Sequence, residues 1–175
     1  MKKTTDFKWI IEIIIFAFII SSIFTTISEI LLPNVNITFG IILTIVFVII
    51  GVIFDMIGVS VTAADIAPLN AMASKKVYGA KVAIKLKQNA SKVSSFCNDV
   101  VGDICGIVSG STGAVIAIKL SQINSWNTLI VTIVTMAIIS ALTIGGKAIT
   151  KSFAMKNSDK ILYSFSKIIG VFYRR

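Results

Sequence analysis

The sequence predicts an all-α integral membrane protein: four transmembrane helices and a cytoplasmic-side juxtamembrane belt of amphipathic helices. Three observations carry this expectation. Hydrophobic residues make up 55% of the chain and the mean hydropathy is +0.92, far from an ordinary soluble domain. The apolar residues gather into four stretches, each near the ~20 residues that cross a bilayer as a helix. The basic residues fall outside those stretches, almost all on one side of them.

The first stretch runs from about Trp9 to Leu32 and stops at Pro33-Asn34, a helix-ending pair. It is long and lacks a small-residue cleavage site, so no cleavable signal peptide is expected. Glu12 and Glu29, near its ends, read as interfacial. The second stretch spans about Ile37 to Val59, with Asp55 near its end. A polar segment, Ser60 to Lys92, follows. There Asp65 beside Pro68 reads as a helix start, Gly79 as a break, and VYGAKVAIKLKQNASKV as a helix with lysines on one face. The fourth stretch is Thr128 to Ile144. The segment after it, Gly145 to Arg175, carries an apolar stripe (Phe153, Ile161, Phe165, Ile168, Ile169, Phe172) opposite lysines, interrupted at Asn157-Ser158-Asp159. Helices of this kind lie in the membrane interface with lysines toward the head groups.

The third stretch, Val93 to Lys119, is long enough to span yet carries Asn98, Asp99 and Asp103 in its first third. Asp99 and Asp103 are four apart, on one face of an α-helix. Ionisable groups at membrane depth cost ~2.5–3.5 kcal/mol each on insertion scales and usually mark a pathway or a pair. Gly102, Gly106 and Gly110 form a small-xxx-small ridge that admits another helix backbone, from the second stretch or from a partner copy. Cys97 and Cys105 read as small packing residues. With two cysteines and no histidine, neither a disulfide framework nor a His/Cys metal site is suggested.

The charges set the expected orientation. Lys2, Lys3 and Lys8 precede the first stretch, six lysines follow the second, and five lysines and two arginines follow the fourth. Only Lys119 borders either of the other two turns, so the basic side is cytoplasmic and both termini face the cytoplasm. The net charge of +9 is therefore a topogenic and anionic-lipid signal, and membrane lipid rather than nucleic acid is the expected partner. No Gly-x-Ser-x-Gly elbow or Walker loop is present, so no enzyme is expected.

Three segments, in order, resemble the transmembrane domain of CNNM/CorC magnesium transporters. GVSVTAADIAPLNAMA (Gly58–Ala73) is similar to that family's Ser-rich segment leading into a juxtamembrane helix. GAKVAIKLKQNASKVSSFCNDVVGDICG (Gly79–Gly106) resembles its basic helix, turn and polar span start, where the family has Gly-Asn-Asn. GGKAITKSFAMKNSDKILYSFSKIIGVF (Gly145–Phe172) is similar to its Gly-Glu-x-x-Pro-Lys segment and the turn that follows. The resemblance covers roughly Thr38 to the C-terminus. It implies three spans, a juxtamembrane belt and a homodimer interface, with residues 1–36 as an extra N-terminal span before a family-like domain at 37–175. As the chain ends soon after its last amphipathic stretch, the family's CBS-pair module is not expected.

Departures from the family bear on function. The family's Glu after Ser matches Val61, its Gly-Glu acid matches Lys147, and the Pro of Pro-Lys matches Thr150. Magnesium is a hard ion that takes oxygen ligands. Ser60, Thr62, Asn98, Asp99 and Asp103 are the candidate metal residues, with Asp55 a further source of oxygen. Two functions compete. One is a divalent-cation transporter or exporter that carries Mg2+. The other is a non-transporting relative, a scaffold for a membrane or cytoplasmic protein partner, in which Lys147 fills the ion site opposite Asp99 and Asp103.

Overall fold

The computed structural model describes residues 7–31 and 36–172, so Lys2, Lys3 and the Pro33-Asn34 stop lie outside the described residues. Those described are 92% helical, with no strand among them. The helices are α1 (Phe7–Leu31), α2 (Ile37–Ala63), α3 (Ile66–Ser74), α4 (Ala80–Gln88), α5 (Ala90–Ser95), a π-helical segment (Phe96–Gly102), α6 (Asp103–Asn124), α7 (Thr128–Lys156) and α8 (Ser158–Phe172). Among the described residues, four helical runs are long and apolar enough to cross a membrane: Phe7–Ile27, Ile37–Ala63, Ala90–Asn124 and Thr128–Lys156. The protein is an all-α membrane protein. Large apolar side chains stand exposed around α1, with Phe18 at 72%, which is tolerable only where lipid replaces water.

Two spans outrun their hydropathy. α2 continues past Val59 to Ala63, and α7 continues past Ile144 to Lys156, because nothing there breaks a helix. The Gly145-Gly146 pair stays helical, and Gly146 sits against the side chain of Val52. The expected break at Asn157-Ser158-Asp159 falls between α7 and α8. Gly79 breaks the chain ahead of α4 at φ +83°, a left-handed conformation that suits glycine.

The chain forms two compact units. One holds residues 1–49 and 103–142. In it α1 packs along α6, and Phe24 meets Phe47 edge-on with centroids 6.0 Å apart. Gly40 is buried against Ile116. Gly113 lies so near Ile139 that a methyl group there would collide. Asn127 Oδ1 caps α7 by accepting from Leu129 N–H at 3.0 Å, the usual work of an Asn before a first turn.

The other unit holds residues 50–102 and 143–175. Its core joins Ile57, Val61 and Ala64 of α2 to Leu69 of α3, Ala83 of α4, Cys97 and Leu162 of α8. Here α3, α4 and α8 pack on one another beside the end of α2, forming the belt. Asp65 caps α3, as expected, by accepting from Ile66 N–H. Its own N–H donates to Asp159 Oδ1 at 2.8 Å, tying α3 to α8.

Candidate cation site

The span Ala90–Asn124 is interrupted by seven π-helical residues, Phe96–Gly102. A π turn widens the backbone ladder from i→i−4 to i→i−5, and such turns are frequent at functional sites. Asn98 lies in this segment. Its Nδ2 donates to Ser94 Oγ at 3.4 Å, whereas its Oδ1 is buried and accepts no hydrogen bond. That oxygen faces Gly58 of α2, where any Cβ would collide with it. An orphaned buried acceptor costs ~1–3 kcal/mol, so its retention calls for a donor or cation that it serves.

Asp55 lies one turn before Gly58, on the same face of α2. Lys147 of α7 places Nζ 3.9 Å from Asp55 Oδ1, with the two side chains 28% and 16% exposed. The same Nζ is 3.6 Å from where a Cβ on Gly102 would stand, so the ammonium sits at the end of the π segment. Lys147 thus pairs with Asp55, not with the aspartates of the third span. Asp99 is exposed on the π segment, and Asp103, also exposed, opens α6 in the other compact unit. Each charge was visible in the sequence, but which acid meets Lys147 depends on how α2 and α7 pack.

Ser60 is fully buried, its Oγ donating to Met56 C=O at 2.8 Å. Thr62 is exposed and donates to Val59 C=O at 2.8 Å. Beside them Lys87 of α4 donates to the carbonyls of Thr62 at 2.8 Å and Val61 at 3.3 Å. This ammonium caps the negative end of α2, a role the sequence did not suggest. Gly106 and Gly110 have no described neighbour within 4 Å of a built Cβ, so within this chain the close helix contact falls at Gly113 instead. Among the described residues no three acidic or cysteine side chains converge. The oxygens on offer to a cation are therefore amide, hydroxyl, carbonyl and single-carboxylate oxygens.

The described residues form an all-helical membrane module with a π-interrupted span, a lysine–aspartate pair beside it and a belt of short helices. Residues 42–174 match the family model of the Cyclin M transmembrane N-terminal domain, CNNM, and the chain belongs to that family. The match begins inside α2 and leaves α1 outside it. The family is associated with magnesium transport. No curated protein and no solved structure matches the chain.

Proposed function

We propose that this chain is a divalent-cation transporter of the magnesium type, its site built where α2, the π segment and α7 meet. The observation that carries the reading is the buried Asn98 Oδ1 without a donor, in the π segment and against Gly58, one turn of α2 from Asp55. Mg2+ keeps several waters and takes one or two carboxylates, which suits a site rich in neutral oxygens. The ammonium of Lys147 holds Asp55 loosely, at 3.9 Å, and must leave it when the ion arrives. Ser60 and Thr62 lie at the same end of α2, and Asp99 adds a carboxylate on the π segment. The basic belt faces the cytoplasm with both termini. α1 is an addition ahead of the family domain, and the Gly106/Gly110 ridge serves a homodimer.

A second reading rests on the same ion pair. If Lys147 permanently replaces the ion, the chain is a non-transporting relative that scaffolds a membrane or cytoplasmic protein partner. Thermal unfolding with and without magnesium separates the two. Under transport, magnesium raises the melting temperature of the wild type, Lys147→Glu is tolerated and strengthens that effect, and Asp55→Asn weakens it. Under the scaffold reading magnesium changes none of them. Lys147→Ala then costs about 1–3 kcal/mol for this largely buried pair, and adding Asp55→Asn restores most of it.

A further inference from the structure

A groove of about 330 Å³ runs between α2, the end of α7 and α8. Its lining is largely apolar: Ile53, Met56 and Ile57 come from the second half of α2, Phe153 from α7, and Phe165 and Ile168 from α8. Ile53, Phe153 and Ile168 are 43%, 55% and 62% exposed, more apolar surface than a membrane-boundary cleft leaves to water. The polar lining is confined to Asn157, Lys160 and Ser164, which lie toward the start of the α8 stripe while Ile168 lies further along it. Lys160 is exposed and has no ion pair among the described residues. The adjacent acid, Asp159, accepts from Asp65 N–H, and Asp55, next to the groove residue Met56 in sequence, holds Lys147. The groove is therefore apolar along its length and positive at one end.

We propose that this groove is a binding site for an anionic phospholipid. One acyl chain lies along Ile53, Ile57, Phe153 and Ile168, and the head-group phosphate is held by Lys160 with Asn157 and Ser164 as neutral donors. The groove is open along one side, so an acyl chain can lie in it with the lysine end of the groove at the head group. A basic pocket at the edge of a helical bundle is a recurrent lipid-head-group site. The proposal does not depend on whether the chain transports a cation.

Native mass spectrometry of the full chain, titrated with phosphatidylglycerol or phosphatidylcholine, tests it. Phosphatidylglycerol binds the wild type about fivefold more tightly, the worth of one lysine near an anionic surface. Lys160→Gln removes the preference, and Lys156→Gln, outside the groove, keeps it. Ser164→Trp, at an exposed position that fills the groove, weakens both lipids. Equal binding of the two lipids by the wild type overturns the proposal, as does an undiminished preference in Lys160→Gln. A dimer that Ser164→Trp dissociates without loss of lipid overturns it in favour of a second copy of the chain.

Discussion

Asn98 Oδ1 lies against the backbone of Gly58, where a single methyl group would collide with the amide. Gly58→Ala therefore costs about 1–3 kcal/mol through overpacking, although alanine is the better helix former by ~1 kcal/mol. In an Asn98→Ala background the collision vanishes and the same change becomes neutral or stabilising. Thermal unfolding of the four proteins measures this, and an equal cost in both backgrounds would show that the two residues do not touch. Asn98 was legible as a polar group out of place in a span. Gly58 was not: a glycine in an apolar run carries no mark of what packs on it. Lys147 was legible as the departure from the family's acid, but its partner depends on how α2 and α7 pair, which residue spacing along one helix does not encode.

The helices themselves were largely readable, since an apolar run of span length has few alternatives. Asp65 as a cap and Gly79 as a break follow from local chemistry. The ends of α2 and α7 were read short because hydropathy falls before the helix does: beyond Ile144 lysines and hydroxyls thin the apolar run while the helix continues through Gly145-Gly146 to Lys156. The π segment left no trace in the sequence, as apolar spacing over seven residues does not separate 3.6 from a wider turn. Lys87, capping α2 from another helix, is a tertiary contact and was equally hidden. The belt offers a test at this scale. In a chain with Cys97 and Cys105 replaced by alanine, Lys81→Cys and Lys156→Cys should react with an impermeant thiol reagent from one side of the membrane. Asn124→Cys should react from the other. Reaction of all three from the same side would contradict the orientation set by the lysines.

At the scale of the whole molecule, composition alone marks a membrane protein, and the ordered motifs carry the family to which residues 42–174 belong. The two compact units were not legible. Their boundaries fall inside α2, inside α7 and at the end of the π segment, so they follow tertiary contact rather than any linker. The central claim is that the protein moves a divalent cation past Asn98, and magnesium flux into liposomes containing the purified chain tests it most directly. The wild type should take up magnesium faster than protein-free liposomes. Asn98→Ala should lower the rate about tenfold or more, the loss of one buried ligand oxygen at ~1–3 kcal/mol, while still folding. Wild-type liposomes no faster than empty ones, or an Asn98→Ala protein with undiminished flux, would contradict the account.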